Sequence, residues 1–430
     1  MKRCLIIGGG LAGLSAASIL SSKNYLVTLL ESSPKLGGRT YSYLDSETNT
    51  IIDNGQHILM GCYRETLSFL KLISAENNFE YQKDLHLKFI NRDKKEFVLD
   101  GSKLFYPINL LFAILNYNVL SFSDKISIIS FLIKLPFLSR KALYSLTVKD
   151  WLTNGNQNKN IITSFWEILC AGALNTNLEK ASALVFYEVL MQIFFKGNFA
   201  STIILPMFGL SKSFILPAEE FIRNNNGQII LSETVKEIRI INQKITEVKT
   251  DKNIFDNYDF VISAIPLLAL EKIVPKEILK VDVEFDYSTI LNVHIWLDEN
   301  NFEEKFYGLL DSPLHWIFVK EKHINIVISD ADYLADKSKQ EILDFVTDEL
   351  RHYTSIKKDD IVNYKVIKEK RATFIPDIDT LEKRPNNKTT INNLYLAGDW
   401  IDTGLPSTIE SAVKSGRMAA EMILTENKNY

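Results

Sequence analysis

Cys4-Leu5-Ile6-Ile7-Gly8-Gly9-Gly10-Leu11-Ala12-Gly13 joins a short apolar run to a stretch of helical composition, Leu11 to Ser22. Cys4 to Ile7 has β character, and Leu26 to Leu30 is a second such run closed by Glu31. The order is β-α-β. Gly8, Gly10 and Gly13 stand in G-x-G-x-x-G spacing at the strand-to-helix junction. Gly8 permits a tight turn, Gly10 lets a pyrophosphate approach the backbone, and Gly13 lets helix and strand pack closely. Leu11 and Ala12 open the helix, whose free N–H groups favour negative charge. The glycines alone fit any tight βα turn. Glu31 changes the reading, because a carboxylate at the end of the second strand accepts hydrogen bonds from ribose hydroxyls.

Further along, Leu36-Gly37-Gly38-Arg39-Thr40 lets backbone lie against a second part of the same dinucleotide, and Arg39 can pair with its phosphate. Near the other end, Leu394-Tyr395-Leu396-Ala397-Gly398-Asp399 puts an acid directly after a buried strand. Asp399 also fits a plain capping or turn role. Gly404 to Glu410, which includes Thr408 and Ile409, then opens a helix reaching about Leu424. A middle block repeats the strand signal at Ile229–Leu231, Val235–Ile240, Ile245–Lys249 and Phe260–Ala264. Three separated segments thus read as one nucleotide-binding lobe. Residues from about 75 to 205 read as mostly helical and apolar. Residues from about 270 to 380 carry β runs at Ile290–Leu297, Ile324–Ser329 and Ile361–Lys368, with an amphipathic helix near Gln340–Tyr353. These two insertions are expected to build a second lobe.

Composition limits the alternatives. With 430 residues, 46% hydrophobic and 24% charged, the chain falls in the globular range and is too long for one small core. A net charge of −4 gives no general attraction to nucleic acid. Three cysteines without a C-x-x-C pair argue against a disulfide framework or a zinc site, and the six histidines never take a metal-ligand spacing. No metal is expected, and a reducing, cytosolic setting fits. The basic start and small residues near Ala16 superficially resemble a secretory signal, but the glycine pattern inside them argues otherwise. No run reaches the roughly 20 apolar residues of a spanning helix.

The combination of GxGxxG, Glu31, the Gly-Gly-Arg turn and Gly398-Asp399 before the last helix resembles the amine oxidase and phytoene desaturase superfamily of FAD enzymes. That resemblance implies an α/β fold, with a Rossmann-type FAD-binding lobe formed by 1–74, 206–269 and 381–430. A mixed α+β substrate lobe with a helical, membrane-facing part would comprise 75–205 and 270–380. It also implies that Val235 meets the adenine with its backbone, a role its sequence cannot separate from that of a buried strand valine. Asp53-Asn54-Gly55-Gln56-His57 resembles the motif that passes the flavin, which implicates Gly55 and Gln56 in cofactor binding.

Further matches are similar to the bacterial hydroxysqualene dehydroxylase family of the hopanoid pathway. They are Trp166-Glu167, Leu174-Asn175-Thr176, Ala181-Ser182, Val185-Phe186, Glu369 to Phe374, and Asp399-Trp400 followed by T-G-L-P-S-T-I-E-S-A-V-K-S-G. The resemblance is weakest over 80–150 and 270–360. It implies reductive loss of an allylic hydroxyl from a long isoprenoid, with hydride from reduced flavin. His57 is the candidate proton donor or orienting residue, against a role confined to cofactor or backbone hydrogen bonding. Arg371 could position the hydroxyl or a flavin edge, against a structural ion pair. A carotenoid-type desaturase, running hydride transfer in the opposite direction, and a non-enzymatic prenyl-binding escort are the competing readings. Retention of Glu31, Arg39 and Asp399 speaks against the escort. Residues 104–149 combine apolar runs with Lys125, Lys134, Arg140, Lys141 and Lys149 against one acid, Asp124, which suits peripheral membrane association. The electron donor and the oligomeric state have no sequence signal.

Overall fold

The computed structural model describes residues 1–275, 279, 281 and 283–426. Arg3–Ile7 lies at the centre of a five-stranded sheet, flanked by Leu26–Leu30 and Phe260–Ser263, with Gln228–Ile230 and Leu394–Leu396 at the edges. Every pairing in it is parallel. Parallel strands are covered on both faces, which is why these runs are continuously apolar. Cys4 and Ile6 join a cluster with the helices Leu11–Ser22 and Ile409–Glu426, whereas Leu5 and Ile7 join one with the antiparallel strands Val235–Ile241 and Lys244–Thr250. The two long helices pack closely enough that a β-carbon on Gly416 would stand 2.1 Å from the Ala12 carbonyl oxygen. Three distant stretches of chain therefore share one sheet.

A seven-stranded sheet forms the second layer system. Its order is Ile361–Phe374, Tyr287–Leu297, Ile324–Ile328, Trp316–Val319, Phe306–Leu309, His86–Ile90 and Glu96–Asp100. Alternation divides its faces. Leu291, Val293, Ile295, Ile324 and Ile326 pack with Ile342, Val346 and Leu350 of the helix Lys339–Leu350. Phe306, Phe318 and Val327 face the other way, into an apolar core shared with helices from 108 to 194.

The helical reading of 75–205 needs correction at its start. Phe79–Tyr81, His86–Ile90 and Glu96–Asp100 are strands, and regular helix begins only at Ile108. His86-Leu-Lys-Phe-Ile is too short to declare its period, and its turn is made by Asn91 Oδ1, which accepts from the N–H groups of Asp93 and Lys95 at 3.1 and 3.0 Å. Its strand character is completed by pairing with Phe306–Leu309, which the sequence reading also missed.

Candidate cofactor and substrate site

At the first βα turn the glycines have different reasons. Gly8 has φ +107°, and a β-carbon there would lie 2.8 Å from the Ala264 carbonyl oxygen. At Gly13 it would lie 2.0 Å from the Gly8 carbonyl oxygen. Both are required by the protein's own packing. Gly10 has an ordinary φ of −76°, and nothing stands within 4 Å of its β-carbon position. The protein itself does not need a glycine there, so the open space is a cradle for an outside group. A second glycine turn forms its floor: Gly37 N–H donates to the Gly9 carbonyl at 2.9 Å, and a β-carbon on Gly38 would meet Gly10 Cα at 3.4 Å. The helix beginning at Leu11 and Ala12 has no side-chain cap, which leaves its amino end open to an anion.

The Glu31 carboxylate accepts from Gly9 N–H and Ser33 N–H, each at 2.7 Å. Two backbone bonds fix it while leaving lone pairs for ribose hydroxyls. Glu233 N–H donates to the Glu31 carbonyl at 2.9 Å, which brings the strand beginning at Val235 to the same corner. Val235 is partly buried against the sheet.

Arg39, the candidate partner of a phosphate, donates from its guanidinium to Asp399 Oδ1 at 2.6 Å and to the Ala372 carbonyl. Burial pushes the Asp399 carboxyl up, but the Arg39 charge and hydrogen bonds from Arg39 and Ser407 outweigh it and hold the group below its ordinary range. The Asp399 charge in turn raises Arg39. Gly398, at φ +142°, donates its N–H to Ser415 Oγ at 2.7 Å. Thr408 Oγ1 accepts from Ser411 N–H at 3.2 Å and caps the last helix, while Ile409 is buried in the core. Two residues absent from the sequence reading hold this loop. Buried Arg384 donates to the carbonyls of Leu405 at 2.7 Å and Asp399 at 2.9 Å, and Asn387 Nδ2 to those of Leu396 at 2.7 Å and Ser415 at 2.9 Å. Burial lowers Arg384 to about 10, so it remains a cation at neutral pH. Glu-Lys-Arg-Pro-Asn-Asn signals only a turn; the roles appear once the loop carbonyls converge on it.

The strand Thr50–Asp53 delivers Gly55, Gln56 and His57. Asp53 Oδ1 accepts from Ser42 Oγ at 2.7 Å and Leu210 N–H at 2.8 Å, which fixes the turn. A β-carbon at Gly55 would stand 3.5 Å from Asn292 Nδ2 and 4.0 Å from His57 Nε2, so the motif meets the substrate sheet here. Gln56 Nε2 is buried without a partner, as expected of a donor awaiting a cofactor oxygen. Burial lowers His57 below its ordinary value, against the raising effects of the Asp53 charge and a hydrogen bond with the Arg39 backbone. The ring is neutral at pH 7, which suits orientation better than storage of a proton. Arg371 is exposed, with its guanidinium 6.0 Å from the Tyr287 ring centre. Its contact is thus an aromatic face rather than the ion pair weighed from sequence. Tyr287, also missed, senses the charges of Asp399 and Arg39.

An open cradle at Gly10, a fixed carboxylate at Glu31 and an orphaned amide at Gln56 fit a bound dinucleotide with a flavin end. The family model described as flavin containing amine oxidoreductase matches residues 11–424, and the chain belongs to that family. It is an FAD-dependent oxidoreductase. Among individual proteins, it is 29% identical to a hydroxysqualene dehydroxylase of Zymomonas mobilis, over 98% of this chain and 99% of the relative. A 15-cis-phytoene desaturase of an Oncidium hybrid is 24% identical over 98% of this chain and 78% of its own. Of solved structures, an oxidoreductase from Methanosarcina mazei aligns over 98% of this chain and 100% of its own, with TM-score 0.76 and 18% identity, a likeness of fold.

Proposed function

We propose that the chain removes the allylic hydroxyl of hydroxysqualene reductively, giving squalene. The observation that carries this reading is the end-to-end match to a hydroxysqualene dehydroxylase, which covers both insertions that would form the substrate lobe. In this reading 1–74, 206–269 and 381–430 bind FAD, and 75–205 and 270–380 bind substrate. Gly8, Gly10, Leu11, Ala12 and Gly13 hold the pyrophosphate, and Glu31 the ribose. Val235 flanks the adenine. Gly38, Arg39, Gly398, Asp399, Thr408 and Ile409 enclose the middle of the cofactor, while Gly55 and Gln56 meet the ring. Reduced flavin, when bound, supplies a hydride.

The protein's own share is to hold the hydrocarbon, exclude water and handle the leaving oxygen. Phe306, Phe318 and Val327, with Phe186 and Leu190 of the helix Ala183–Phe194, form the apolar core of the lobe that would take the hydrocarbon. His57 orients the site through the Arg39 backbone. Conversion of hydroxysqualene by chemically reduced enzyme tests the reading; a carotenoid-type desaturase would instead need its flavin oxidised.

Peripheral association with a membrane follows from the same substrate. No helix among the described residues is long and apolar enough to cross a membrane. The helices Ile108–Asn116 and Phe122–Lys134 nevertheless leave Ile108 and Phe112, and Phe122, Ile126 and Ile133, exposed at helical spacing. Phe105, Phe122 and Phe137 are 72%, 74% and 86% exposed, a pattern unusual for water-facing aromatics. The basic contribution is smaller than the sequence suggested. Lys125 is buried, donating to the Leu115 carbonyl at 2.7 Å; Lys149 pairs with Glu179 at 2.7 Å; and Arg140 pairs with Glu188. Apolar insertion, supported by exposed Lys134 and Lys141, thus carries the attachment.

A further inference from the structure

The core-facing side of the seven-stranded sheet is not uniformly apolar. Along Tyr287–Leu297 the residues alternating onto it are Ile290, Asn292, His294 and Trp296; Asn292 pairs with Val327 and His294 with Asn325. Ile290 and Val327 pack into the apolar core. Asn292, His294, Asn325 and His323 are buried beside them. A polar strip thus begins where this apolar core ends.

Its bonding is directional. Asn325 Nδ2 donates to Asn292 Oδ1 at 3.0 Å, which turns the Asn292 amide so that Nδ2 lies beside Gly55. His294 Nε2 stands 3.2 Å from the Asp53 carbonyl oxygen, tying the strip to the strand that delivers Gly55. Behind Asn292, the Asn325 Oδ1, His294 Nδ1 and both ring nitrogens of His323 are buried with no protein partner. The two imidazole centres are 5.1 Å apart. Buried polar atoms without partners are rare, and several in one strip mark a place for ordered water.

We propose that this strip is the hydroxyl subsite of the reaction. Asn292 Nδ2 donates to the oxygen that leaves the substrate, and Asn325 is a positioning residue that holds the amide in that orientation. Water bound to His294, His323 and Asn325 connects the oxygen to solvent protons. The assignment rests on the dehydroxylase reading. The C–O bond breaks with its electron pair on oxygen, which takes one proton from that water and departs as water. The carbon takes the hydride, the flavin is oxidised by two electrons, and an external two-electron reductant restores it. Squalene lacks the oxygen, so Asn292 distinguishes alcohol from product.

The test uses dithionite-reduced holoenzyme without oxygen, in single turnover. Asn292→Leu keeps the side-chain volume and removes the donor. It should slow reoxidation by hydroxysqualene at least about tenfold, the scale of one lost hydrogen bond at a reacting oxygen. Reoxidation by ferricyanide and binding of squalene should stay within about twofold. Asn325→Ala should move the same ratio in the same direction, and Asn292→Ala replaces the leucine variant should that fail to hold FAD. Equal slowing with hydroxysqualene and ferricyanide, or equal loss of alcohol and squalene binding, overturns the assignment. So does a variant as fast as wild type. Wild-type enzyme inert toward hydroxysqualene overturns the functional reading itself, and this inference with it.

Discussion

Arg39 Nη2 lies 2.6 Å from Asp399 Oδ1, so a turn near the start of the chain and a strand end near its close are joined by one ion pair. The strand ending at Leu396 and the loop pinned by Arg384 place the acid; Gly37 and Gly38, both at positive φ, place the base. Arg39 also donates to the Ala372 carbonyl, which ties the pair to the strand Ile361–Phe374.

Asp399→Ala leaves the Arg39 guanidinium without its carboxylate and should release the flavin on gel filtration. Part of the Arg39 side chain meets solvent, so the accompanying loss of stability should be about 1–3 kcal/mol rather than the larger cost of a fully buried pair. Absorbance of the eluted protein and a thermal melt measure both. Full flavin occupancy would remove Asp399 from the cofactor site.

Gly10 and Gly13 should fail differently. Gly10→Val meets open space, so the flavin-free variant should melt with the flavin-free parent yet not take up FAD. Gly13→Ala drives a methyl into the Gly8 carbonyl and should destabilise even the flavin-free chain, by roughly 1–3 kcal/mol or more. Equal thermal shifts in the two apoproteins would contradict this division.

The first βαβ unit, the middle strands and the last helix were legible because glycine spacing and buried runs are local signals, and the family resemblance added the flavin motif. Arg384 and Asn387 were not, since their partners are carbonyls of a loop brought back by the fold. Asn292 and Asn325 sit in strands that otherwise read as ordinary β runs. Their pairing is set by register between strands far apart in sequence. Lys125 was misread as a surface cation because composition does not say which face of a helix is buried.

Acid should weaken the fold through its buried histidines. Burial lowers His294 to about 3, and His315 and His323 to about 4, from 6.5 in the open chain. The unfolded chain therefore binds protons that the folded chain refuses, and stability present above pH 6.5 is lost as pH falls toward 4. The slope is at most about 1.4 kcal/mol per pH unit for each ring. Urea denaturation at stepped pH measures it, and His323→Phe should flatten it. An unchanged slope would mean that the rings are not held neutral.

Phe105, Phe122 and Phe137, replaced together by serine, should weaken binding to vesicles at least about tenfold, because each exposed ring loses apolar insertion. Binding of the parent should fall only modestly from anionic to neutral vesicles. Sedimentation with vesicles of phosphatidylcholine, with and without phosphatidylglycerol, separates the two contributions. A parent protein that stays in the supernatant with both would remove the membrane from the account.

The most direct measurement is an anaerobic single turnover with authentic hydroxysqualene. Oxidised enzyme should leave the alcohol untouched. Dithionite-reduced enzyme, freed of excess reductant, should form about one equivalent of squalene per flavin as the yellow absorbance returns, since each conversion consumes one hydride. Reduced, FAD-loaded enzyme that leaves hydroxysqualene unchanged, while oxidised enzyme desaturates phytoene or a C30 analogue, would contradict the account and make the chain a desaturase.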